Sequence, residues 1–124
     1  MSARGRLLIV DDDEDIRLIA RMSLERIGGW EVLDAASAAD AVEAARSGPL
    51  EAVLLDVMMP GVDGPATLQL LRPVIGPDTS VIFLTAKTQS ADRERLAELG
   101  AAGLITKPFD PMTLPDELSA WLSR

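Results

Sequence analysis

Five polar residues, each at the end of a short apolar run, are placed to do chemistry together. Asp11 and Asp12 follow Leu7 to Val10, Asp56 follows Ala52 to Leu55, Thr85 follows Val81 to Leu84, and Lys107 follows Gly103 to Thr106. The set is three carboxylates, one hydroxyl and one ammonium. Two carboxylates about 4 Å apart repel by roughly 4 kcal/mol at an effective dielectric near 20. Such a cluster therefore needs a counter-charge. Lys107 supplies one, and a hard divalent cation such as Mg²⁺, which takes carboxylates, waters and phosphate oxygens, would supply another. With those charges in place Asp56 becomes a usable nucleophile, and carboxylate attack on phosphorus gives an acyl phosphate. Charge spreads over the oxygens of a phosphoryl group in transfer. Lys107, the Thr85 hydroxyl and a backbone N–H at Ala86 are suitable donors to them. The chain has no histidine and no cysteine, which removes Ser-His and Cys-His catalysis, thiolate metal sites and disulfides.

The elements that must hold these residues alternate along the chain. The apolar runs at 7–10, 52–57, 81–84 and 103–106 read as buried strands, and 30–36 reads as the second strand in chain order. Between them, Ile16, Ile19, Ala20, Ser23, Leu24 and Ile27 recur at helical spacing until Gly28-Gly29. An alanine-rich helix opens at Ser37, paired with Asp40 as a capping box, and stops at Gly48-Pro49. Pro65 begins a third helix that Pro73 limits; a fourth runs from about Ser90 to Leu99, and a last one through Leu114, Leu118 and Leu122. Five β-α units predict a parallel sheet with helices on both faces. In such sheets ligands bind beyond the carboxyl ends of the strands, where all five polar residues fall. The run at 30–36 ends without a comparable group, as suits an edge strand.

Composition narrows the partners. The 124 residues carry 20 acids against 12 bases, a net charge of −8, and 48% are hydrophobic. One domain with a real core is expected. The acidic balance and the lack of a basic stripe argue against nucleic acid. The apolar run near the N-terminus is too short for a signal peptide. No stretch reaches the roughly 18 apolar residues that span a membrane, so a cytoplasmic protein is the expectation.

Four segments then stand out together: Leu8-Ile9-Val10-Asp11-Asp12, Leu54-Leu55-Asp56-Val57-Met58-Met59-Pro60-Gly61, Leu84-Thr85-Ala86 and Thr106-Lys107-Pro108-Phe109. Their order and spacing resemble the signatures of response-regulator receiver domains over nearly the whole chain. The resemblance implies an α/β flavodoxin-like doubly wound (βα)5 sandwich, with a five-stranded parallel sheet in the order 2-1-3-4-5. It implies that Asp56 accepts a phosphoryl group from a histidine kinase or phosphotransfer protein of a two-component system or phosphorelay. Asp12 would bind Mg²⁺ (or Mn²⁺) directly, Asp11 would assist through water, and Asp56 and the Met58 backbone carbonyl would complete the protein's ligands. Lys107 would contact the phosphoryl group, Thr85 would move toward it, and the Lys107-Pro108 bond resembles one that is cis in the family. A single receiver over 1–124 with no effector domain is expected. Its signal would leave through an unnamed downstream protein or a phosphorylation-linked dimer, across the surface at Lys87 to Leu99 and Leu114 to Trp121.

Two departures from the family pattern matter. Leu104 stands where the family usually has an aromatic residue, so the switch is expected to be read through backbone and helix shifts near residues 86–106. Met58 and Lys87 flank the path of a hydrolytic water, and methionine is a poor hydrogen-bonding partner, so a long-lived phosphoaspartate is expected. Asp13, Glu14 and Asp15 read as a solvated helix cap. The calcium-loop spacing of Asp11, Asp13 and Asp15 fails, because Ile16 and Met22 stand where glycine and glutamate are required. Trp30 and Trp121 read as packing residues. A phosphate-independent adaptor of the same fold is the main alternative, but it usually lacks one of the acids, the threonine or the lysine. An aspartate-nucleophile phosphohydrolase is less favoured, since Met58 occupies the position of its second acid.

Overall fold

A computed structural model describes residues 5–86 and 90–122. Five strands, β1 (Arg6–Val10), β2 (Glu31–Ala35), β3 (Ala52–Asp56), β4 (Ser80–Thr85) and β5 (Gly103–Thr106), alternate with five helices. These are α1 (Glu14–Arg26), α2 (Ala38–Ala45), α3 (Gly64–Ile75), α4 (Ser90–Glu98) and α5 (Leu114–Leu122). All neighbouring strands pair in parallel, in the order β2-β1-β3-β4-β5. This is the doubly wound order that the family resemblance implies, with β2 at an edge.

Strand pleat divides the core in two, because successive side chains leave opposite faces. Leu8, Val10, Val53, Leu55, Val81 and Phe83 pack on the face covered by α2, α3 and α4. Leu7, Ile9, Ala52, Leu54, Ile82, Leu84 and Ile105 pack on the other, against Ala20 and Leu24 of α1 and Leu114 and Leu118 of α5. The middles of the central strands are apolar because both faces are buried, and polar residues stand only at strand ends, Arg6 and Ser80 at amino ends and Asp56 and Thr85 at carboxyl ends. None of the described helices is long and apolar enough to cross a membrane.

The helix ends follow local chemistry. Asp13 caps α1, its carboxylate accepting from the N–H groups of Asp15 and Ile16; these acids serve the helix, as the plainer reading had it. Ser37 caps α2 by accepting from the Asp40 N–H at 3.2 Å, and Asp63 caps α3 by accepting from the Ala66 N–H at 2.9 Å. One boundary needs correction. Pro73 does not limit α3, which runs on to Ile75 and stops at Gly76. In the last turn a proline forfeits a single helical hydrogen bond, and Gly76, at φ 77°, is what turns the chain away. The apolar face of α1 is also narrower than its periodicity suggests. Ala20, Ser23 and Leu24 are buried, whereas Ile19 and Ile27 are exposed.

Candidate functional site

The pleat decides which strand-end residues meet. Asp11 continues the parity of Leu7 and Ile9, and Asp56 that of Ala52 and Leu54, so both turn toward the α1/α5 side. Both are buried. Asp11 is held on every polar atom of its main chain and side chain. Its N–H donates to the Ala35 carbonyl at 3.1 Å, and its carbonyl accepts from Arg17 Nη1 at 2.8 Å. Its Oδ1 accepts from the Asp13 N–H at 2.9 Å, and its Oδ2 accepts from Lys107 Nζ at 2.6 Å.

Lys107 bridges the two acids, lying 3.2 Å from Asp56 Oδ1 with its side chain 18% exposed. Its N–H donates to the Thr85 carbonyl at 2.8 Å, which ties the lysine to the end of β4, and the Lys107-Pro108 bond is cis. Asp56 Oδ1 also accepts from the Met58 N–H at 3.3 Å. Asp12 is exposed, and carboxylate oxygens of Asp11, Asp12 and Asp56 all lie within 4.8 Å of one another. At that separation each pair of charges repels by about 3 kcal/mol at an effective dielectric near 20. Burial, and then the charge of Asp11, raise the Asp56 carboxyl above its ordinary value; Lys107 and the Met58 N–H oppose this without cancelling it. For Lys107 burial disfavours the ammonium, but the hydrogen bond and charge of Asp11, followed by those of Asp56, outweigh it and raise the lysine.

Three convergent carboxylates with no nitrogen or sulfur donor form a hard oxygen set, which suits Mg²⁺ or Mn²⁺. One partly buried ammonium against three acids leaves the cluster short of positive charge, so the donor chemistry fits a divalent cation.

Thr85 is brought beside this cluster but not into it. It is buried, one register position beyond the Asp56–Leu84 pair and opposite Thr106. Its parity is that of Val81 and Phe83, on the α3/α4 side. There it lines a hollow of about 60 Å³ with Val57, Met58, Asp63, Arg95 and Leu96. The five strand-end residues therefore occupy one end of the sheet without all facing one crevice. Ala86 is exposed at the end of β4, the Met58 side chain is 65% exposed, and Lys87 lies outside the described residues. Leu104 is partly buried on the same side as Thr85. Trp121 lies over Gly103, where an added Cβ would meet its ring at 2.1 Å, and donates from Nε1 to the Leu104 carbonyl at 3.0 Å. Packing accounts for both tryptophans, since Trp30 is buried in the α1/α5 core.

Two contributors were not singled out from sequence. Gly64 begins α3 so close to the end of β3 that a Cβ there would sit 2.4 Å from the Asp56 carbonyl and 2.8 Å from Val57 Cα. In the sequence it reads only as loop punctuation after Asp63. Arg17 reads as one more charged residue of α1, and only the fold places it on the Asp11 carbonyl.

The model of the response regulator receiver domain matches residues 7–119. Among curated proteins, the chain is 37% identical over 118 residues to the transcriptional regulatory protein YvrH of Bacillus subtilis (strain 168), covering 95% of this chain and 49% of that protein. It is 34% identical over 121 residues to the alkaline phosphatase synthesis transcriptional regulatory protein PhoP of the same strain, covering 96% and 49%. The chain thus spans about half the length of the curated relatives it matches. Among solved structures, the chemotaxis response regulator CheY4 of Vibrio cholerae superposes with a TM-score of 0.85 at 28% identity, over 98% of this chain and 99% of that one. A response regulator from Chloroflexus aurantiacus J-10-fl gives 0.81 at 32% identity, over 97% and 98%.

Proposed function

This chain belongs to the response regulator receiver domain family, and we propose that it is a phosphorylation-dependent switch whose phosphoacceptor is Asp56. The observation that carries the reading is the Asp56 carboxylate itself: buried at the end of β3, 3.2 Å from Lys107 Nζ, and within 4.8 Å of two further acids. An isolated strand-end acid would have no use for that surrounding.

The donor is a phosphohistidine of a histidine kinase or phosphotransfer protein. An Asp56 carboxylate oxygen attacks phosphorus, the P–N bond breaks, and its electron pair leaves with the imidazole, giving an acyl phosphate on Asp56. Hydrolysis reverses the state, as water attacks phosphorus and inorganic phosphate departs. Asp11, Asp12 and Asp56, with the Met58 carbonyl, would hold Mg²⁺ or Mn²⁺, which when bound neutralises charge on the phosphoryl oxygens. Lys107 starts between Asp11 and Asp56 and is free to follow the incoming negative charge. The Thr85 hydroxyl and the Ala86 N–H donate to the remaining oxygens, and movement of Thr85 away from its hollow alters the side of the sheet that carries α4 and Leu104. The output face is α4, β5 and α5, where Arg93, Leu96, Ala97, Leu104, Glu117 and Trp121 help to line a hollow of about 320 Å³. An unidentified protein or a second copy of the chain reads that face.

The test is intact mass after incubation with acetyl phosphate, with and without Mg²⁺, for the parent and Asp56→Asn. One phosphoryl adduct that requires both Mg²⁺ and Asp56 is expected. No adduct on folded, Mg²⁺-binding protein would replace this reading with a phosphate-independent adaptor.

A further inference from the structure

Arg17 grips the main chain of the acid turn. Its Nη1 donates to the Asp11 carbonyl at 2.8 Å, and its side chain is only 17% exposed. Its Nε lies 3.9 Å from Asp34 Oδ2 on β2. Asp34 is approached as well by Arg21 Nη1 at 3.7 Å, and Arg21 is itself 3.3 Å from Glu25. The next residue of β2, Ala35, accepts the Asp11 N–H at 3.1 Å. Both ends of the Asp11 main chain are therefore tied to the end of β2: one directly, the other through Arg17 and Asp34.

The Asp11 carbonyl belongs to the peptide that leads into Asp12. Its orientation fixes where the Asp12 carboxylate points, and Asp12 is the exposed member of the three-acid cluster. Asp11, Asp12 and Asp13 are consecutive acids, so an unanchored turn would relax by swinging Asp12 outward, away from its like-charged neighbours. A planar guanidinium can hold a carbonyl and a carboxylate at once in a fixed geometry, which an ammonium cannot.

We infer that Arg17, anchored by Asp34, is a positioning residue that holds the Asp11–Asp12 peptide so that Asp12 is presented to a divalent cation. The inference rests on the proposed cation site and adds to it a support reaching from β2. It also has a distinctive sign. A positive charge close to a cation site weakens cation binding if it acts only through its charge, so removing it would tighten binding; removing a positioning group weakens it. Outer groups that orient metal ligands typically change affinity by about 10- to 100-fold when replaced.

The experiment is calorimetric titration of Mg²⁺ alone into the parent, Arg17→Met, Arg17→Lys and Asp34→Asn, each shown folded by its urea transition. About tenfold weaker binding is expected for Arg17→Met. Nearly the same loss is expected for Arg17→Lys, which keeps the charge but not the fork. A smaller loss is expected for Asp34→Asn, which leaves Arg17 in place and tests the anchor should the Arg17 variants not fold. Unchanged or tighter Mg²⁺ binding in the folded variants would overturn the inference while leaving the cation site intact. A parent that takes up no Mg²⁺ would remove the cation site and this inference with it.

Discussion

Lys107→Met removes the ammonium that bridges the Asp11 and Asp56 carboxylates while keeping most of the side-chain volume. At 2.6 and 3.2 Å from the two carboxylates, the ammonium attracts each by about 5–6 kcal/mol at an effective dielectric near 20. Much of that gross attraction offsets the desolvation of the three charges. Removing one partner of a buried ion pair is destabilising by about 3–5 kcal/mol. The 18% exposure of the lysine side chain places this case at the low end, about 3 kcal/mol at neutral pH. The loss should depend on pH. In the parent, burial and Asp11 already raise Asp56, and Lys107 holds it down; without the lysine Asp56 rises further. The loss is therefore full above the raised value and shrinks as pH falls through it, when the protonated carboxyl can share its hydrogen with Asp11. Lys107 is itself raised, so its contribution in the parent is fully present at neutral pH and disappears only at alkaline pH. Urea transitions at pH 4 and pH 7, compared at constant slope, measure the acid-side change. Mg²⁺ at about 100 times its Kd should restore about 2.7 kcal/mol, and adding Asp56→Asn should recover most of the deficit. A deficit equal at both pH values, or one untouched by Asp56→Asn, would refute this account of the cluster.

Three further outcomes are expected. Because the fold disfavours the charged form of Asp56, its contribution is present in acid and lost as pH rises through the folded-state value. Asp56→Asn should therefore gain stability over the parent from pH 3.5 to 7 without cation, and a gap that stays flat in urea midpoints would refute it. Gly64→Ala forces a methyl group against the Asp56 carbonyl and should destabilise by about 1–3 kcal/mol while slowing adduct formation with acetyl phosphate; a neutral effect on both would show that α3 shifts freely. Met58→Asn gives a hydrolytic water a hydrogen-bonding partner and should shorten the phosphoaspartate lifetime severalfold, followed as loss of the adduct mass; an unchanged lifetime would mean that water does not pass this side chain.

The alternation of apolar runs with helical periodicity contained the order of the elements, and the acids, hydroxyl and lysine at the run ends contained the candidate site. Both were legible because strands buried on two faces tolerate polar residues only where they end, so Asp11, Asp56, Thr85 and Lys107 stood out against Val, Leu and Ile. Helix α3 shows where local reading stopped: Pro73 suggested a boundary, but packing of Leu68 and Leu71 in the core outweighs one missing hydrogen bond. Contacts between distant segments were decided only by the tertiary structure. Strand parity separates Thr85 from the Asp11–Lys107–Asp56 cluster, the approach of α3 to β3 gives Gly64 its meaning, and the neighbourhood of α1 and β2 sets Arg17 between Asp34 and the Asp11 carbonyl. Each depends on which faces and backbones the fold brings together, and residue type and spacing along one chain carry no record of that.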